Sequence, residues 1–290
     1  MIEASMVLGF GLALVAAFCY ETGYALQALE ARRSPPETAL RPALLGHLLQ
    51  RPVWVGATLL SLVGWPLQVL ALNHAPLTLV QPTLALGLLL LLFLGTRILG
   101  EHVGRREVGA VVAIIAGVAV IAWASPSERG QVPRNAGLVV VLGMLAATAI
   151  LPYLPGATRF SRTVLLVIAA GAADGLAAFV AKLVAEDAEA GRWLAVIAWA
   201  AAVGAVVIVG VISESTALQR AAATRVAPAV LVMQIAIPVL LAPLIGGESW
   251  RGTPLNGAVL AGGLGVVLAG VAVLAASPAV AGVIGEHRSS

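Results

Sequence analysis

Apolar stretches of about twenty residues follow one another along almost the whole of this chain, and short links between them hold most of its charge. At ~1.5 Å rise per residue, such a stretch of helix crosses a hydrocarbon core roughly 30 Å thick. The stretches do not alternate with a period of two, and they are far longer than a membrane-barrel strand. Helices rather than a barrel are therefore expected. With 60% hydrophobic and 11% charged residues in 290, the chain has too little polar surface to cover a water-soluble domain.

The pattern predicts spans at 5–29, 53–73, 77–97, 106–124, 136–154, 163–185, 193–216, 225–246 and 255–276. The fifth ends at Pro152 and Pro155. Residues 34–50 form a Pro-containing link whose 39–49 part fits a short interfacial helix. The first stretch is too long for a cleaved leader and has no basic segment before it, so it is read as a span. Cys19 stands alone inside it and says nothing about disulfides or thiolate metal sites.

Basic residues set the expected orientation. Arg32, Arg33, Arg41, Arg51, Arg97, Arg105, Arg106, Arg159, Arg162, Arg220, Arg225 and Arg288 all fall on one side if nine spans alternate. The other side holds Arg129, Arg134, Arg192, Arg251 and Lys182. The N-terminus is thus expected outside and the C-terminus in the cytoplasm, in a plasma (inner) membrane. Nearly all basic residues are Arg, which points to a GC-rich bacterial source. They sit in links, without a stripe of interleaved aromatics, so no nucleic-acid partner is expected despite the net charge of +3. Membrane lipids are the expected surroundings, and a homodimer is left open.

The chain also resembles itself. Ala71-Leu72-Asn73-His74-Ala75, Val80 and Pro82 return as Ala217-Leu218-Gln219-Arg220-Ala221, Val226 and Pro228; Gly100-Glu101 returns as Gly247-Glu248. Both copies close on Ser-Pro, at Ser125-Pro126 and Ser277-Pro278. The expected fold is therefore an all-α integral membrane protein with two inverted four-helix repeats, residues 1–126 and 163–278. A linking helix lies within 127–162, and 279–290 form a cytoplasmic tail. One intervening crossing inverts the second copy, and the links swap their charge bias accordingly. Inverted repeats around a midplane site are the usual architecture of alternating-access carriers. Gly109, Ala113 and Gly117 share their spacing with Gly257, Ala261 and Gly265. Small residues every fourth position let backbones approach, so the fourth and ninth spans are expected to pack together through these six.

Few ionisable groups lie inside the spans. Glu21 and Asp174 each sit in the first span of a repeat, at matching depth. A charge at the bilayer centre costs about 3 kcal/mol on insertion scales, so each needs a partner or an aqueous cavity. A carboxyl in low dielectric can trade a proton for a cation near neutral pH. The alternative role is a buried hydrogen bond or an ion pair, with Lys182 as an available cation. Glu214 and its repeat counterpart Gln68 are candidate cavity liners, Glu214 equally an interfacial anchor. Gln81 and Gln234 either line the cavity or tie two helices. Tyr20, Tyr24 and Trp65 are candidate walls or interfacial anchors. Glu101, His102 and Glu248 fall in turns and are expected to be solvated. No metal-ligand cluster, nucleophile elbow or phosphate loop is present in the sequence, so neither an enzyme nor a cofactor is expected, and no metal site is assigned.

On these residues the chain resembles the drug/metabolite transporter superfamily, each half resembling a four-helix small-multidrug-resistance unit. Cys19-Tyr20-Glu21-Thr22-Gly23 matches that family's first-helix pattern, and Gly100-Glu101 before a Gly-rich helix matches the turn between its third and fourth helices and the fourth helix itself. Within the superfamily the chain is most similar to NIPA-like magnesium transporters. Pro52-Val53-Trp54-Val55-Gly56, Gly64, Ala71 through Pro76, Val80 and Pro82 carry that likeness, which is concentrated at 52–126. The family's Asn-Phe pair is replaced here by Gln68-Val69. The resemblance implies proton-coupled secondary transport of a small cation, Mg²⁺ or an organic cation or metabolite, with Glu21 as coupling carboxylate and Asp174 its partner. Mg²⁺ prefers several oxygen ligands and gives up water reluctantly, so magnesium does not follow from two carboxylates alone. A flippase for a lipid-linked head group and a non-transporting membrane scaffold are the alternatives.

Overall fold

The computed structural model describes residues 2–125, 132–154, 162–245 and 250–276. Ten α-helices run through them: α1 Ile2–Arg33, α2 Pro42–Leu49, α3 Pro52–His74, α4 Leu77–Ile98, α5 Arg105–Ala124, α6 Ala136–Ile150, α7 Arg162–Glu189, α8 Trp193–Leu218, α9 Ala223–Leu244 and α10 Ala258–Ala275. Among the described residues nine spans are long and apolar enough to cross a membrane, and each coincides with an expected one. The short helix α2 lies in the expected interfacial link.

Local sequence accounts for the ends. Pro42 and Pro52 open α2 and α3 at positions whose N–H would have no helical partner. The Asn135 side chain caps α6 by accepting from Leu138 N–H at 3.1 Å. That helix stops at Ile150 and tightens into a 3₁₀ turn, Leu151–Tyr153, because Pro152 has no N–H to donate. The last helix begins three residues later than the pattern predicts. Leu255 and Asn256 both hold φ at 52°, which an α-helix does not accept.

The helices pack in two like sets. In the first, α1 lies against α3 and α4; in the second, α7 lies against α8 and α9. The Tyr20 ring covers Gly64 on α3, and the Ala173 methyl covers Gly210 on α8. Gly210 follows Gly64 by 146 positions, the interval that separates Ala217 from Ala71. Tyr20 and Ala173 are separated by 153, as are their neighbours Glu21 and Asp174. The packing thus gives the two acids equivalent places in their sets.

The two sets are joined along α5 and α10. A Cβ added to Gly117 would lie 2.9 Å from the Gly263 carbonyl oxygen, and one added to Gly263 would lie 3.2 Å from that of Gly117. Gly117 also faces Val267, while Gly263 faces Ile121 and Gly270 faces Ile114. As the chain advances along α5, its partners recede along α10, so the helices are antiparallel. Gly263 again follows Gly117 by 146 positions, and the Gly117–Val267 and Ile121–Gly263 contacts exchange under that shift. Around the crossing, Val111, Ile114, Val118, Leu260 and Leu264 form one buried cluster with Leu88, Leu92 and Val232.

The expected partnership of these helices holds, but only Gly117 of the six named small residues lies at the crossing. Gly109 and Gly265 face open space, Ala261 is exposed, Ala113 is half-buried, and Gly257 turns at φ 92° beneath Trp250. By spacing alone Gly117 aligns with Gly265, whereas in the packed bundle it aligns with Gly263. Two positions of slip rotate an α-helix by roughly 200° and move the stripe to the far side. Gly247-Glu248, Pro126, Ser277-Pro278, Arg129, Arg159, Arg288 and the tail lie outside the described residues.

Large apolar side chains such as Val7, Leu62 and Leu194 are exposed on the outside of the bundle. Lipid is the medium that covers such a surface. The chain is an all-α, multi-pass membrane protein. Gly117→Val or Gly263→Val should lower stability by about 1–3 kcal/mol through overpacking, while Gly109→Ala should be neutral. Thermal unfolding of the detergent-purified variants checks this.

Candidate functional site

Helix α1 meets both sets, touching α3 and α4 of the first and α8 and α9 of the second. Three residues of that helix point toward the interior. The Tyr20 hydroxyl donates to Gln68 Oε1 on α3 at 2.9 Å. The Glu21 side chain packs over Gly87 on α4, where an added Cβ would lie 2.9 Å from its Cγ. One turn on, Tyr24 lies among carboxyls from both sets. Glu214 of α8 acts on it most strongly, followed by Glu21 and Asp174. Asp174 and Glu214 also face each other electrostatically.

Glu21, Tyr24, Asp174 and Glu214 therefore form one centre, contributed by α1, α7 and α8. All four are half-buried, so they retain some accessible surface. Among the described residues none of the three carboxyls forms an ion pair. Lys182 stands about two turns beyond Asp174 on α7. The Tyr24 hydroxyl and Thr22 Oγ1 are fully buried without a partner in good hydrogen-bond geometry. Most buried polar groups find well-aligned partners, so the Tyr24 hydroxyl, facing the Glu214 carboxyl in poor geometry, marks this centre as unusual.

The other expected liners divide. Gln68 is tied to Tyr20 and lies one helix removed from the carboxyl centre. Gln81 is half-buried on α4. Trp65 is 64% exposed. It is Gly64 that faces α1, and the next residue on a helix is turned by roughly 100°. Gln234 is exposed for the same reason, since Met233 and Ile237 are the α9 residues that pack on α7.

Sequence reasoning missed the residues at the two ends of the bundle. Glu101 is not solvated: its side chain is 5% exposed and pairs with Arg32. It accepts from Ala223 N–H at 2.6 Å, Thr224 N–H at 3.0 Å and the Thr224 hydroxyl at 2.5 Å, capping the first turn of α9. The recurrence of Gly-Glu in both halves was the available signal. Its partners, 69 and 122 residues distant in the chain, were not. At the opposite end Asp187 is held by Arg134 at 2.9 Å, Arg192 at 2.8 Å and Trp199 Nε1 at 3.1 Å. Glu30 ties Arg33 and Arg51 to the end of α1.

No family model matches this chain, and no solved structure matches it. A curated relative, an uncharacterized protein of Corynebacterium glutamicum, is 28% identical over 111 residues. That stretch is 38% of this chain and 38% of the relative, so the match spans well under half of either.

Replacing Tyr20 and Tyr24 by Phe should separate their roles. Tyr20→Phe breaks a side-chain hydrogen bond and should cost about 1 kcal/mol. Tyr24→Phe removes a hydroxyl that reaches the Glu214 carboxyl only in poor geometry and should cost less. Thermal unfolding of the two purified variants checks the order.

Proposed function

We propose that this chain is a secondary carrier for small cations, in which Glu21, Asp174 and Glu214 are shared between protons and the transported ion. The observation that carries this reading is their convergence from both halves of the molecule without a basic partner among the described residues. Asp174 and Glu214 repel each other when both are charged, and an unneutralised charge inside an apolar bundle costs about 3 kcal/mol on insertion scales. Three carboxylates in an apolar bundle are therefore stable only when protons or cations neutralise them. Exchange of one for the other is the simplest coupling such a centre performs.

The equivalent positions of Glu21 and Asp174, and the antiparallel contact of α5 with α10, support a carrier built from two related halves. The resemblance to drug/metabolite transporters points the same way. A scaffold role would favour acids tied into ion pairs, and among the described residues none of these three forms one. Among the described residues no group of three or more His, Cys, Asp or Glu is spaced to hold a metal ion. Together with the flanking Tyr24, this favours a cation recognised by charge over a metal chelated by side chains. On the basic-residue bias, the end bearing Arg32 and Arg220 is read as cytoplasmic, in a bacterial plasma membrane.

Solid-supported-membrane currents from proteoliposomes test this with Mg²⁺, polyamines, quaternary ammonium compounds and amino acids. A current for one cation class is expected, reduced at least tenfold by Glu21→Gln, Asp174→Asn or Glu214→Gln. Tyr24→Phe should alter its pH dependence. Equal currents in wild type and all three carboxyl variants would exclude the proposal.

A further inference from the structure

Besides the α5–α10 seam, the two halves meet at one end of the bundle, where α1 and α4 approach α8 and α9. There Ala28 and Ala31 of α1 pack against Leu166 and Ala170 of α7, Ala217 and Leu218 of α8, and Ala223, Val226 and Val230 of α9. One turn closer to the carboxyl centre, Ala25 meets Leu91 and Ala227. These small side chains leave no space between helices; Ala28, Ala31 and Ala223 are fully buried and Ala170 is 1% exposed. Glu21, Asp174 and Glu214 lie beyond this plug, toward the middle of the bundle.

Over that plug lies a polar clasp. The Arg32 guanidinium pairs with Glu101 and donates to the carbonyls of Leu99, Leu218 and Ala221 at 3.3–3.4 Å. Glu101 in turn holds the first turn of α9 through the three bonds described above. The α1–α2 link adds two more ties. Leu40, at φ 60°, donates its N–H to Thr216 Oγ1 at 3.1 Å, and Gln219 Nε2 donates to the Ser34 carbonyl at 3.5 Å. Arg32 and Glu101 belong to the first half, and almost everything else they grip belongs to the second.

We propose that Arg32 and Glu101 form a latch that seals this end of the bundle and must release the start of α9 before the carboxyl centre can be reached from this side. Its part in a transport cycle rests on the carrier reading; its sealing role does not. The ion pair is the component that can be lost without unmaking the helix. Gln in place of Glu101 keeps one acceptor oxygen for the start of α9, on Ala223 N–H or on Thr224, and carries no charge to hold Arg32; Arg32→Gln removes the ion pair and leaves both Glu101 oxygens on α9.

The test is thiol accessibility, which requires no transport. In a Cys19→Ser background, a cysteine is placed at Ala170 or Ala28, under the latch, and the protein is reconstituted in nanodiscs. The rate of labelling by a charged, water-soluble maleimide is then measured. With the latch intact, labelling should be slow at both positions. Adding Glu101→Gln or Arg32→Gln should raise it at least tenfold, with thermal unfolding confirming that the variants remain folded. Unchanged labelling in folded Glu101→Gln and Arg32→Gln proteins would overturn the latch. Fast labelling with the latch intact would overturn the seal itself. Since no current is read, a failed transport assay leaves this result standing, and the reverse also holds.

Discussion

Three carboxyl groups carried into an apolar interior by α1, α7 and α8 must be neutralised by something, and the described residues supply no fixed cation to do it. Had an Arg or Lys been paired with them, the centre would be a closed electrostatic unit, costly to open and useful mainly for specificity of fold. Left without one, it is stable only with mobile positive charge. In the proposed carrier this requirement is the coupling: a proton and a transported cation serve the same need, and the centre accepts one as it gives up the other. The paired acids of this molecule lie at its ends, where Glu30, Glu101 and Asp187 each hold arginine.

The fold is arranged so that this centre lies between two halves rather than inside one. Within each half, small residues let α1 and α7 lie close to their neighbours. Between the halves, α5 and α10 cross at Gly117 and Gly263 with reciprocal contacts, a hinge-like seam of small and apolar residues. At the latched end the halves are bound by apolar plug and polar clasp together. Motion of one half about the α5–α10 seam would leave intra-half packing intact while parting that end. Such rocking is how inverted-repeat carriers expose a fixed site to each side in turn.

Much of this was legible in the sequence, for a physical reason. Lipid demands about twenty apolar residues per crossing, so the spans announce themselves by length and composition. The acids inside them stand out because they are expensive. What resisted reading depends on rotation about a helix axis and on distant partners. Trp65 and Gln234 lie one residue from positions that face inward, and apolar spans show no polar stripe to reveal which face that is. The α10 stripe through Ala261 and Gly265 failed because two positions of alignment slip turn a helix by roughly 200°. Glu101 looked like any turn acid, since nothing near it in the chain hints at Arg32 or the start of α9. Glu214 was visible as an intramembrane acid, but only the packing of α1 against α8 brings it to Tyr24.

Proton release on cation binding tests the central claim most directly. Detergent-purified protein in weakly buffered solution with a pH-sensitive dye would be mixed with spermidine, then with a quaternary ammonium compound. The account predicts proton release saturating with one of these cations, and its loss in the Glu21→Gln, Asp174→Asn, Glu214→Gln triple variant. Saturable binding with no proton release, or release that persists in the triple variant, would contradict it.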